Sequence, residues 1–370
     1  TVIEAITEVI DAKFVMPNSA VIATQFDAQS FTGIPKRTFH IKGRIIQVPS
    51  NYDAEQRVYS GIWDGTFKPA YTNNPAWVYY DLLLHKRYGL GNQVSAGQVD
   101  KWELYRIGQY CDQMVDDGKD GKEPRFTCNL YLQERAPALR VMQDIASIFR
   151  GISYWGAGQT FVSADMPGDS DHTFTNSQVI DGQFDYRGAP LESRYNVALV
   201  SWNDPSDFYR SKVEYVQDRE GIATYGGINK VEMVAFGCSS QGQAQRAGKW
   251  AIITNTLESE IVTFKVPLSG AFVRPGDIIR IADNDLAGRD IGGRIVASDA
   301  RSITSDRPVT ALAGDTVTLM VGGEPIEMTV ATYDTDAKKI VFTAEFPEGK
   351  RPRRMDPWAI ESPELKLTTW

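Results

Sequence analysis

The sequence predicts an α+β, β-rich protein in which a helical block interrupts β segments and a further β domain follows on the C-terminal side. Three observations carry this. Polar and apolar residues alternate over much of the first fifty residues and again after Gly151, the period of strands. Between about residues 51 and 151 the period is that of amphipathic helices. From Ile295 to Phe346 short strand-like runs recur at about ten-residue spacing, the pattern of a barrel or sandwich. The implied divisions are 1–50 (β), 51–151 (helical), 152–300 (β-rich with one helix near 240–254) and 301–370 (a C-terminal β segment able to form a small inserted barrel).

Taken in order, Val21–Phe26 and Thr38–Val48 mix β-branched and aromatic residues with polar ones and read as strands. Pro17-Asn18 and Gly33-Ile34-Pro35 read as turns, and Pro49–Tyr52 ends the β character. Asn74-Pro75 starts a helix, because Asn caps free N–H groups and Pro lacks the one that would go unpaired. Ala76, Tyr79, Tyr80, Leu83 and Leu84 form its inner face, with Gly89 as the stop. A second helix opens at Asp100, with Glu103 in a capping-box-like position, and carries a stripe of Leu104, Ile107, Cys111, Met114 and Val115. A third begins near Pro137, faces Met142, Ile145, Ala146 and Phe149 inward, and has Gly151 just past its end. Asn196–Trp202 and Glu260–Val266 read as strands either side of a helix over about Ser240–Thr254. Arg274-Pro275-Gly276-Asp277 is a tight turn into a strand over Ile278–Ile281.

At 370 residues the chain is long enough for two or three domains of about 150 residues. Its 42% hydrophobic and 23% charged residues exclude a disordered or collagen-like chain. Mean hydropathy is −0.30, and the absence of any apolar run of about 18 residues predicts no membrane-spanning helix. The opening Thr1-Val2-Ile3-Glu4 lacks a basic n-region and an initiator Met, so no secretory signal is expected and the chain reads as processed or as a piece of a longer one. The net charge of −8 disfavours tight grip on a phosphate backbone, which rests on Lys and Arg displacing counterions. Cys111, Cys128 and Cys238 are odd in number and far apart, so no disulfide framework is implied and a reducing compartment is expected.

The sequence carries few motifs of catalytic or metal chemistry. His40, His85 and His172 have no serine or cysteine neighbour in a nucleophile motif, and His85 is explained by a helix C-terminus. No paired Cys or His spacing suits zinc. Asp283–Gly288 and Asp116–Gly121 resemble the start of calcium loops, but their twelfth positions are Arg294 and Thr127 where a Glu is required, so both read as solvated turns. Gly242–Trp250 fails as a phosphate loop, because Trp250 stands where Ser or Thr must hold magnesium; Gly242 and Gly248 read instead as sites of close helix packing. Gly156-Ala157-Gly158 is followed by Phe161 where a dinucleotide fingerprint needs Gly. What remains is aromatic. Of the sixteen Phe, sixteen Tyr and eight Trp, seven cluster within residues 59–80, and Trp63, Phe67, Tyr71 and Trp77 are the candidate packing or interface residues. Read as exposed, the aromatics around Trp63 and Trp77 are candidates for domain or subunit contacts.

The run Gly43–Tyr52 (GRIIQVPSNY), followed by Tyr59–Tyr71 (YSGIWDGTFKPAY), resembles the tip attachment protein J family of lambda-like phage tails, the host specificity proteins. The likeness continues through Tyr88-Gly89-Leu90-Gly91, Trp102–Arg106 and Ile107–Gln113. It returns at Ala235-Phe236-Gly237-Cys238 with Gly242-Gln243-Ala244, Arg246-Ala247-Gly248 and Trp250, and again at Pro275–Ile279 with Ala287-Gly288. It spans about Val9 to Arg294, with a weaker tail beyond.

The resemblance implies a structural protein of the virion, made in the bacterial cytoplasm and placed at the distal end of the tail. There a homotrimeric hub of tube-type β-barrels with inserted domains, akin to contractile-tail baseplate hubs, would continue and close the tail tube and help deliver DNA. Its partners would be other tail-tip proteins and the tape measure protein. DNA would pass through the lumen without specific binding. The host outer-membrane receptor would be met only through regions beyond this sequence. The family motif brings no catalytic residue, no cofactor and no metal, so no enzyme is expected. An acidic chain suits a DNA duct, since walls of like charge let the polymer slide. Two rivals are a carbohydrate-binding or depolymerising tail component, which needs Trp63, Tyr71 and Trp77 facing solvent together beside a carboxylate pair, and a lytic enzyme domain, disfavoured by the scarcity of histidine.

Overall fold

A computed structural model of the chain describes residues 19–369, apart from 28, 31–32, 34–35, 38, 133–135, 189–193, 226, 259, 288–291 and 362–367. It divides into two units, Thr1–Lys42 and Gly43–Trp370. In the first, Val21–Phe26 is irregular and exposed rather than a strand. Strand propensity alone makes no strand, because the N–H and C=O groups need a ladder opposite, and this segment belongs to no ladder among the described residues. Pro17-Asn18 and Ile34-Pro35 lie outside the described residues.

The strand read over Thr38–Val48 is shorter and displaced, Ile45–Pro49. It forms only where Phe67–Tyr71 lies antiparallel to it, in the register Ile45↔Tyr71 to Pro49↔Phe67. Three helices follow: α1 (Pro75–Leu84), α2 (Lys101–Asp112) and α3 (Ala138–Ile148). Asn74 Oδ1 accepts from Ala76 N at 3.0 Å with Pro75 at the first position, and Asp100 Oδ1 accepts from Trp102 N and Glu103 N at 3.1 Å each. Both starts therefore lie where the caps predict. The ends differ. α1 stops at Leu84, and Gly89 comes in the turn beyond it, where a Cβ would meet Leu82 O at 2.0 Å. α2 stops at Asp112, so Met114 and Val115 leave the helical stripe and enter a short hairpin, Met114–Asp116 with Lys122–Pro124. At the end of α3 the left-handed residue is Arg150 (φ 57°), and Gly151 already begins a strand. That strand, Gly151–Gly156, turns back into Gln159–Ala164 through Ala157 (φ 47°) and Gly158 (φ 76°), the positive-φ pair of a tight hairpin.

These elements share one core, in which Val48, Tyr52, Trp77, Tyr79, Leu104, Ile107, Ile145 and Phe149 are all buried. A second core forms where α5 (Gln241–Leu257) lies on a three-stranded sheet. In that sheet Val197–Asp204 runs between antiparallel Arg210–Gln217 and parallel Lys230–Val234. A short helix α4 (Arg219–Tyr225) lies in the crossover. Ser240 caps α5 through Gln243 N at 3.2 Å. Both glycines singled out for close packing are pressed. A Cβ on Gly242 would meet Glu123 Oε1 at 2.5 Å, and one on Gly248 would meet Val216 and Val200 methyls at 2.8 and 2.9 Å. Gly248→Ala is therefore expected to lose about 1–3 kcal/mol through overpacking, despite the better helix propensity of Ala. Denaturant melting checks this, and an unchanged or raised midpoint would refute it.

The Arg274–Asp277 turn has Pro275 followed by Gly276 at φ 96°, closed by Asp277 N to Arg274 O at 3.1 Å. It leads into Ile279–Ala282, parallel to His172–Thr175 and antiparallel to Thr368–Thr369. Between Ala282 and Thr368 the chain builds a closed six-stranded barrel. Around it run Gly292–Ser298, Ser302–Ser305, Lys339–Phe342, Glu324–Asp334, Thr316–Val321 and Pro357–Glu361, which returns to the first. Its interior is Ile295, Ile303, Val317, Leu319, Ile340, Phe342, Trp358 and Ile360. Closure removes the free sheet edges that an open sheet of this size would expose. Among the described residues no helix is long and apolar enough to cross a membrane.

Candidate functional site

The aromatic segment turns inward. Trp63 is only 4% exposed and Trp77 fully buried, while Phe67 and Tyr71 on the Phe67–Tyr71 strand are half-buried. The aromatics around Trp63 and Trp77 are thus not an exposed surface, and Trp63, Tyr71 and Trp77 do not face solvent together. Trp63 stacks on Tyr105 of α2 (ring centroids 4.8 Å, 12°) and meets Phe67 and Trp102 edge-on at 5.2 and 4.9 Å. Phe67 stacks on Tyr80 of α1 at 4.7 Å. Trp63, Phe67 and Trp77 therefore join one ring cluster that locks a loop, a strand and two helices together. Tyr71 sits at the far end of the strand, opposite Ile45. Both buried indoles of this cluster are satisfied: Trp63 Nε1 donates to Thr66 O at 2.6 Å, and Trp77 Nε1 to Tyr59 Oη at 3.0 Å.

Below the rings lies a polar network that sequence reading missed. Asp112, at the last turn of α2 and 2% exposed by its side chain, pairs with Arg57 Nη1 at 2.6 Å. It also accepts from Asn74 Nδ2 at 2.7 Å and Tyr59 Oη at 3.1 Å. Asn74 therefore does two jobs, its oxygen capping α1 and its amide N–H tying α1 to Asp112 and to Gly108 O at 2.8 Å. Gly108 permits the approach, since a Cβ there would sit 3.0 Å from both Trp77 and Tyr59. Burial, reinforced by the Asp112 charge, raises the Tyr59 phenol and keeps it a donor. Arg57 reaches Asp112 from a left-handed conformation (φ 57°) that usually favours glycine; its guanidinium also donates to Asn73 Oδ1. The available signal was the Asn74 cap and the unbroken run Ile107–Gln113, and neither reveals a partner fifty-five residues earlier in the chain.

The arrangement is one of packing and charge pairing. The network's ionic groups are mutually satisfied. Burial pushes the Cys128 thiol up to about 12 and that of Cys238 up to about 11, and raises Cys111 as well, so all three are inert as nucleophiles. Among the described residues no group of His, Cys, Asp and Glu could hold a metal ion. Asp117 caps its own loop through Lys119 N at 2.7 Å and Gly121 N at 3.0 Å, and Asp283 accepts from Asn176, Tyr186 and Asp285 N. Both acidic loops are thus closed by the protein's own donors. His85 caps α1, and His172 is buried on its strand, where desolvation lowers its pKa below 6.5. The unfolded chain then binds a proton more readily than the fold. The stability due to neutral His172 is accordingly full above pH 6.5 and lost as pH falls through the lower folded value. Urea melts at pH 7.5 and 5.5 should show a smaller acid loss for His172→Phe than for the parent, and equal losses would refute this.

Residues 137–298, spanning α3, the three-stranded sheet and α5, match the family described as "Putative phage tail protein". Over 370 residues, 99% of it, the chain is 38% identical to the tip attachment protein J of Escherichia phage SECphi27. Over 318 residues, 85% of it, the chain is 37% identical to the tip attachment protein J of Escherichia phage SECphi4. It spans 31% and 28% of the lengths of these curated relatives.

Proposed function

This chain is a relative of tip attachment protein J and a phage tail component, and we propose that it forms part of the central hub at the distal tip of the tail. In this reading three copies close and continue the tail tube, contact other tail-tip proteins and the tape measure protein, and let DNA pass without specific binding. The hub works by assembly and conduction, without turnover of a substrate. The carrying observation is similarity running from end to end of the chain, through every core, rather than through one motif. The inward-facing aromatics and inert thiols are consistent with it, being investments in rigidity. The net charge of −8 fits a passage that repels phosphate.

Gold-labelled antibodies raised against this chain test the reading on intact virions. Label confined to the distal tail tip is expected. Label along the tail shaft, or on the head, would overturn it.

A further inference from the structure

A groove of about 300 Å³ opens where the three-stranded sheet meets the start of α5. Trp202, Asp204, Lys212 and Glu214 line it from the sheet, Gln241 from α5 and Lys119 from the hairpin loop. The two carboxylates are already engaged. Asp204 accepts from Lys212 Nζ at 2.5 Å, Ser206 Oγ at 2.7 Å and Ser206 N at 2.9 Å, and Glu214 accepts from Gln241 Nε2 at 2.9 Å. Two donors are left over. Trp202 is 8% exposed, and its Nε1 is a buried polar atom without a hydrogen-bond partner. Lys119 Nζ has no carboxylate within 4.0 Å among the described residues, its nearest electrostatic influence being the Asp117 charge two residues back in the loop. The buried indoles of the aromatic core, Trp63 and Trp77, both have acceptors; that of Trp358, inside the barrel, has none, and the Trp202 ring differs from it in lining this groove.

An indole N–H only donates and an ammonium only donates. The missing group is therefore an acceptor, and beside an unpaired cation an anionic one is favoured. The groove holds a side chain but not a folded element. We propose that it is a carboxylate-binding site, taking an Asp or Glu side chain of a protein segment, which would accept from Trp202 Nε1 and pair with Lys119. Asp204 stays neutralised by Lys212, and the charge of Glu214, which accepts from the neutral Gln241 amide, is left for Lys119 to offset. The site stands on geometry independent of the place in the tail, and its failure would leave that reading untouched.

The test follows the indole N–H resonance of Trp202, assigned with Trp202→Phe, in the purified chain. The probes are the capped peptides Ac-Gly-Glu-Gly-NH2 and Ac-Gly-Gln-Gly-NH2, and sodium acetate. The Glu peptide should shift that resonance saturably, and Lys119→Met should weaken it about tenfold or more, the worth of a hydrogen bond to a charged group. Lys119 is exposed in its loop, so Lys119→Met should leave the melting transition in place. No shift with the Glu peptide, an equal response to the Gln peptide, or indifference to Lys119→Met would each overturn the proposal. Acetate binding as tightly as the Glu peptide would make a free small anion the ligand and overturn the assignment to a protein segment.

Discussion

Asp112→Ala is expected to cost about 3–5 kcal/mol of folding stability, the range for breaking a buried ion pair by removing one partner. The alanine would strand Arg57, 17% exposed by its side chain, and leave the Asn74 amide and the Tyr59 hydroxyl without their shared acceptor. These groups join α1, α2 and the Arg57 turn, so the loss should appear as a lower denaturation midpoint with an unchanged slope. Asp112→Asn keeps an acceptor oxygen and should lose less. A loss below about 1 kcal/mol, the scale of an exposed pair, would mean that the network contributes no more than a surface salt bridge.

Trp63→Ala should destabilise by a similar amount, about 3–5 kcal/mol. The indole fills space between Phe67, Tyr105 and Trp102 and closes its own loop through Thr66 O. Because the ring is buried within the chain, the effect should be seen in folding itself, by calorimetry of the purified protein. A Trp63→Ala chain that melts with the parent would count against the packing described here. Trp63→Phe should recover part of the loss, since it restores apolar volume but not the hydrogen bond.

Helix starts were the most legible part of the fold. Asn74-Pro75, Asp100 and Ser240 each declare a start locally, because a cap is a contact between residues two or three apart. Helix ends were less so. α2 gives way at Asp112 although its apolar spacing continues to Val115, since the next residues are claimed by a hairpin. The N-terminal strands failed for the same reason: Val21–Phe26 has the composition of a strand, yet no ladder among the described residues includes it. For the site, the aromatic residues were found but the direction they face was not.

Local chemistry written along the chain therefore determined where the four longer helices start, where the Arg274–Asp277 turn falls, that Gly242 and Gly248 are points of close packing on their helix, and that strands after Ile295 close into a sandwich or barrel. Three-dimensional packing settled the choice of a closed barrel, the burial of Trp63 and Trp77, the pairing of Arg57 with Asp112, and the unpartnered indole of Trp202. The division is physical. Caps, turns and periodicity depend on neighbours a few residues away, whereas burial and ion pairing depend on which distant segment arrives opposite, and that is set by the free energy of the whole core rather than by any stretch of it.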